Sequence, residues 1–185
     1  MGNFTLRDAP MEGLLLIEAK KYGDGRGFFM ETWNERGFEE IGLSMKFVQD
    51  NRSRSKKGTL RGLHFQKTRP QGKLVAVTSG EVFDVAVDLR KSSPTFGKWH
   101  AVTLRSDDGL LLYISPGFAH GFYVVSDYAD FTYKCTDFYM PSDEGGLLWS
   151  DPAIGIKWPV DDGAEIIVSD KDKMYPTLGQ CFVYP

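Results

Sequence analysis

Little in this chain supports cross-linking or metal chemistry. Its 185 residues include two cysteines and three histidines. Cys135 and Cys181 are too few and too far apart for a disulfide framework or a zinc site. No apolar run approaches the length of a spanning helix, and the N-terminus has no signal-peptide pattern. A soluble, cytoplasmic protein with no membrane partner is therefore expected. Net charge is also small, with 22 Lys and Arg against 25 Asp and Glu, a net of −3. That balance gives no overall electrostatic case for nucleic acid as a partner. Internal repeats and low-complexity segments are missing too. A hydrophobic content of 42% is enough for one domain with a full core over 1–185.

What is present reads as an all-β protein. Strand patterns fall at Leu14–Glu18, Phe28–Trp33, Thr59–Gln66, Lys73–Thr78, Glu81–Leu89, Trp99–Leu104, Leu110–Ile114, Gly121–Val125 and Asp130–Tyr139. Turn signals such as Ser79-Gly80, Asp108-Gly109 and Ser115-Pro116-Gly117 separate several of them, at the spacing of a sandwich or barrel. A short helix is expected from Asn34, a capping residue, to Ile41, and another near Asp170 to Met174. The tail from about 150, rich in Asp, Pro and Gly, is expected to wrap the barrel. Arg52, Arg54, Lys56 and Lys57 form a local basic cluster that reads as a solvated loop or as a loop meeting phosphate.

The histidines differ in their surroundings. His100, beside Trp99 and Lys98, reads as a surface or packing residue. His64 lies in L-R-G-L-H-F-Q, close to Arg61, Gln66 and Lys73, polar groups that are hard to bury without a purpose. Residues 61 and 64 point to opposite faces of an ideal strand. Both reach one cavity only if the strand is distorted, and Gly62 is the residue that permits a bulge. His120, in P-G-F-A-H, is expected at a turn ahead of a strand, looking into a barrel mouth. Tyr133 shares a strand face with Phe131 and Cys135, which by itself is ordinary packing.

The two stretches G-x5-H-x-Q (58–66) and P-G-F-A-H (116–120) resemble the two-motif layout of the cupin superfamily, which implies a β-barrel or jelly roll with a few short peripheral helices. Metal-binding cupins place H-x-H in the first motif. Here Gln66 replaces the second histidine and Lys73 lies where a carboxylate belongs. An ammonium has no lone pair to offer, so a metal is not expected.

A finer resemblance is carried by R-G-F-F-M-E-T-W (26–33), Q-D-N-R-S-R-S (49–55), K-G-T-L-R-G-L-H-F-Q (57–66) and Q-G-K-L (71–74). It continues in F-D-V-A-V-D-L-R (83–90), P-G-F-A-H-G-F (116–122), Y-K-C-T-D-F-Y (133–139) and S-D-K-D (169–172). The ordered set is similar to the dTDP-4-dehydrorhamnose 3,5-epimerase family. The resemblance implies an isomerase of dTDP-L-rhamnose biosynthesis acting on a dTDP-linked 4-keto-6-deoxy sugar, with no cofactor. It implies His64 as base, Tyr133 as acid and Lys73 as the cation beside the enolate oxygen. An aspartate behind His64 is implied as well, with Asp172 the better match and Asp170 its rival. Arg26, Glu31, Gln49, Asp50, Asn51, Arg61, Lys73, His120, Tyr139, Glu144 and Lys171 fall at substrate-contact positions. Arg26 and Glu31 are expected to act across a homodimer interface, with the segment to about 57 contributing to dimer and site. One of Arg52 and Arg54 is a further phosphate candidate, while Lys56 and Lys57 read as solvent-facing. Rival readings are a single-carbon epimerase, a 4-keto-sugar isomerase, a non-catalytic sugar-nucleotide-binding cupin and a metal-dependent cupin dioxygenase.

Overall fold

The computed structural model of the chain describes residues 2–185. The strands are β1 Phe4–Met11, β2 Leu14–Ala19, β3 Lys21–Asp24, β4 Gly27–Met30, β5 Gln49–Lys56, β6 Thr59–Gln66 and β7 Lys73–Ser79. They continue as β8 Glu81–Asp88, β9 Trp99–Arg105, β10 Leu110–Ile114, β11 Phe118–Val124, β12 Tyr128–Cys135, β13 Glu144–Gly146 and β14 Ile167–Val168. Two short helices, α1 Glu35–Glu40 and α2 Asp170–Lys173, lie at the periphery. No helix among the described residues is long and apolar enough to cross a membrane.

One sheet runs β1-β2-β10-β7-β12-β5 and the other β13-β6-β11-β8-β9, with β14 joining β6 in parallel. Alternation decides which side chains meet between them. Val75, Val77 and Phe131 of the first sheet pack with Ala86, Phe118, Phe122 and Val124 of the second. The opposite faces are covered as well. Phe38 of α1 and Phe4 close over Ile17, Leu74 and Leu111. Ile154, Trp158, Leu178 and Tyr184 of the tail pack over Leu63, Phe65, Val85, Val87 and Leu89. The strand β8 is thus buried on both faces, which is why its apolar residues outnumber what one core would need.

Four expectations change. The strand expected over Phe28–Trp33 ends at Met30, because it belongs to the separate β3–β4 hairpin rather than to either sheet. Residues 52–56 are strand β5, not a loop. Their inward residues, Gln49, Asn51, Ser53 and Ser55, are polar, so no apolar alternation marks the strand. His120 lies inside β11, not ahead of it, and the strand expected to reach Tyr139 stops at Cys135. The helix at 34–41 forms as read: Asn34 Oδ1 accepts the Gly37 amide at 2.7 Å, and that cap offsets one orphan donor of the first turn.

Candidate active site

Between the inner faces of the two sheets lies a cavity of about 430 Å³. Its first-sheet wall carries Gln49, Asn51, Lys73 and Tyr133; its second carries Arg61, His64, His120 and Glu144. Phe122 and Phe131, stacked with centroids 4.2 Å apart, floor it. Inward strand positions that would be apolar elsewhere in the core are polar here, which is the mark of a site rather than of packing.

Arg61 and His64 share the cavity because β6 is irregular. His120 pairs with His64 and Phe122 with Arg61, so Gly62 and Leu63 together oppose Gly121. The inserted residue returns both side chains to one face. Gly62 sits at φ +129°, and a Cβ there would lie 2.6 Å from Gly121 Cα. Only glycine meets both demands.

His64 is tethered at Nε2 to Asp172 Oδ1, 2.7 Å away, leaving its other ring nitrogen for the cavity. Asp172 is buried and also accepts the Gly62 amide at 3.3 Å. Burial alone would raise this carboxyl, but the hydrogen bond and charge of His64 outweigh it and hold it below its ordinary range. Asp170 is fully exposed and pairs with Lys173, so the carboxylate behind His64 is Asp172. A second pair sits alongside: His120 Nε2 lies 3.0 and 2.9 Å from the two oxygens of buried Asp84. Burial lowers the His120 pKa, with the Asp84 charge opposing that shift.

Lys73 makes no ion pair among the described residues. Burial lowers its pKa, against the opposing charges of Cys135, Asp84 and Glu144. Burial also raises the Tyr133 phenol, which therefore holds its proton. At the rim, Glu144 accepts from Lys171 at 2.6 Å, from Tyr175 at 2.5 Å and from Tyr139. Arg61 Nε donates to Ser55 Oγ at 2.9 Å.

The cavity therefore gathers His64, Tyr133, Lys73, Gln49, Asn51, Arg61, His120, Tyr139, Glu144 and Lys171, with Asp172 behind. Four candidates lie elsewhere. Asp50 points outward from β5 to Lys134 at 2.9 Å, because it alternates with Gln49 and Asn51. Arg26 is bound to Asp24 of its own hairpin, and Glu31 accepts from Asn34 at 2.8 Å. Arg54 grips buried Asp130 at 2.9 and 2.6 Å, while Arg52 bonds the same carboxylate and still borders the cavity. Asp84, Ser53, Gln71 and Tyr175 were not legible as site residues. Asp84 had a signal: an acid in the apolar middle of a strand, on the same face as Ala86.

The chain is similar to known proteins over nearly its whole length. The family model described as dTDP-4-dehydrorhamnose 3,5-epimerase matches residues 8–180. A dTDP-4-dehydrorhamnose 3,5-epimerase of Methanothermobacter thermautotrophicus is 48% identical over 184 residues, 100% of both chains. That of Salmonella typhimurium is 54% identical over 172 residues, 92% of this chain and 93% of its own. The crystal structure of the Legionella pneumophila epimerase RmlC, in complex with dTDP-4-keto-L-rhamnose, superposes with a TM-score of 0.91. It is 48% identical and the match covers 96% of this chain and 94% of that one.

Proposed function

Since the chain belongs to the dTDP-4-dehydrorhamnose 3,5-epimerase family, we propose the following course for its reaction in this cavity. The activity is epimerisation at carbons 3 and 5 of a dTDP-linked 4-keto-6-deoxyhexose, a step of dTDP-rhamnose biosynthesis. The ketone at carbon 4 acidifies the hydrogens on both neighbours. One observation supports the residue assignment above the rest: the His64–Asp172 pair stands on one sheet and Tyr133 on the sheet facing it.

His64 takes the proton from the carbon beside the ketone, and the electron pair moves onto the carbonyl oxygen. Asp172 orients the imidazole and supports the cation formed, as carboxylates do in other histidine pairs. Lys73, without an ion-pair partner among the described residues, holds the enolate oxygen, where a fixed ammonium meets the charge as it develops. Tyr133 returns a proton from the other sheet, inverting the carbon. His64 then gives its proton to solvent and Tyr133 regains one from it, after which the same groups serve the second carbon. Arg61 suits the diphosphate, with planar donors matched to phosphate oxygens. Gln49, Asn51, His120, Glu144, Lys171 and Tyr139 hold the sugar and the nucleoside.

Arg26 and Glu31 enter through a homodimer. The β3–β4 hairpin exposes Tyr22, Phe28 and Phe29, and the outer edge of β5, which borders the cavity, has no strand beside it among the described residues. An open edge and an apolar hairpin are both surfaces that a second chain covers.

Turnover in deuterium oxide tests the assignment. The product is expected to carry deuterium at carbons 3 and 5 by NMR, with His64→Ala slowing exchange by about 10²–10⁴-fold. Tyr133→Phe should impair inversion while leaving dTDP binding intact. Label at one carbon alone would restrict the enzyme to a single inversion, and no label above the protein-free control would overturn the reading.

A further inference from the structure

Tyr175 lies behind the cavity wall yet touches two residues that form it. Its ring stands edge-on to His64, with centroids 5.7 Å apart and planes at 70°. Its hydroxyl donates to Glu144 Oε1, the oxygen that also takes Lys171 Nζ. Lys171 and Tyr175 are four residues apart, so the turn of α2 and its exit bring both to Glu144. Asp172, between them in sequence, reaches His64 from the same turn. The opposite side of the contact is equally specific. Gly146 faces His64 in the β13–β6 ladder, and a Cβ there would lie 2.3 Å from Tyr175 Cδ1. The ring occupies the space a side chain at 146 would fill.

From this geometry we propose that Tyr175 is a positioning residue for the epimerisation, its ring setting the plane of the His64 imidazole and its hydroxyl holding the Glu144 carboxylate. The proposal rests on His64 as the base. A single hydrogen bond from Nε2 to the Asp172 carboxylate fixes one nitrogen of that ring but leaves it free to swing about the bond. The Tyr175 ring, set crosswise beside the imidazole, limits that swing, and a base aimed within a few tenths of an ångström is worth orders of magnitude in rate. Burial and the bond to Glu144 push the Tyr175 phenol far above its ordinary range. It therefore stays a donor and does not compete with Tyr133 as the acid. Through Tyr175 the base and the rim carboxylate share one support, so orientation of the imidazole and grip on the nucleotide sugar are linked.

The two halves of the proposal separate in two variants. Tyr175→Phe keeps the ring and removes the donor: kcat should stay within about twofold while KM for the keto sugar nucleotide rises about tenfold, the scale of one hydrogen bond to a charged group. Tyr175→Leu keeps bulk and removes the rigid ring set crosswise to the imidazole: kcat should fall about 100-fold, with deuterium exchange at carbons 3 and 5 falling alike. A folded Leu variant with parental kcat would overturn the proposal, and so would a Phe variant as slow as the Leu variant. Thermal melting and dTDP titration establish that each variant is folded. Should Leu fail to fold, Tyr175→Met takes its place, and failure of both would assign Tyr175 to stability alone and overturn the proposal. The base assignment is judged separately: it fails if His64→Ala exchanges deuterium at the parental rate. With His64→Ala inactive, parental behaviour at position 175 overturns only the positioning role.

Discussion

Glu144 shows how much a single side chain can be made to do at the rim of this cavity. Burial alone would raise its carboxyl, but Lys171, Tyr139 and Tyr175 outweigh that and hold it at about 2. In return the hydrogen bond to Glu144, with burial and the carboxylate charge behind it, pushes the Tyr139 phenol up to about 12. The depressed value fixes a sign. Stability from this group is fully present above the ordinary carboxylate value of 4.5 and is lost as pH falls through about 2. Glu144→Gln should therefore melt below the parent near neutrality, and the gap should narrow below roughly pH 4.5 in melts taken across the acid range. Lys73→Met is expected to act differently. An ammonium that meets charge developing only in the transition state should cost about 10²–10³ in kcat and leave KM nearly unchanged, read from steady-state kinetics. Individual residues of this kind were largely legible. His64 and Lys73 stood out as polar groups set among strand hydrophobes, and the motif set pointed to Tyr133. Asp50 was not separable from Gln49 and Asn51, because a motif names neighbours while the strand sends alternate ones to opposite faces.

Two short elements carry the geometry. The bulge in β6 depends on Gly62, whose backbone lies at positive φ against Gly121. Gly62→Ala should destabilise the fold by about 3 kcal/mol, combining backbone strain with overpacking, and should abolish activity because Arg61 and His64 no longer share a face. Denaturant unfolding and turnover on the same sample check both. The turn α2 is small but supplies Lys171, Asp172 and, at its exit, Tyr175. Its Ser169 cap accepts the Asp172 amide at 3.1 Å. Ser169→Ala should cost about 1 kcal/mol of stability, and a larger relative loss of kcat is expected as Asp172 drifts from His64. The bulge and the capped turn were both visible as Gly62 between two inward-facing polar residues and as S-D-K-D. The strand β5 was not. Its inward side chains meet a wet cavity rather than a core, so the period that betrays a strand was written in Gln, Asn and Ser.

The proposed homodimer supplies what one chain lacks. Arg26 and Glu31 sit outside their own cavity, on and beside a hairpin with exposed Tyr22, Phe28 and Phe29. If each cavity borrows these residues from a second copy, co-expressing His64→Ala with Arg26→Ala should restore activity. Random pairing makes half the dimers mixed, each with one intact site of two, so about a quarter of the parental rate is expected. Activity no greater than the sum of the separate variants would show that Arg26 works within its own chain. Composition, turn spacing and the ordered motifs were sufficient for the all-β class and the chemistry, because alternation and residue type are local properties. Folding was needed to choose Asp172 over Asp170, to turn Asp50 outward, to back His120 with Asp84 and to bring Tyr175 to His64. Each of those outcomes depends on register between strands and on where a distant turn lands, and such contacts between residues far apart in the chain leave no periodicity along it.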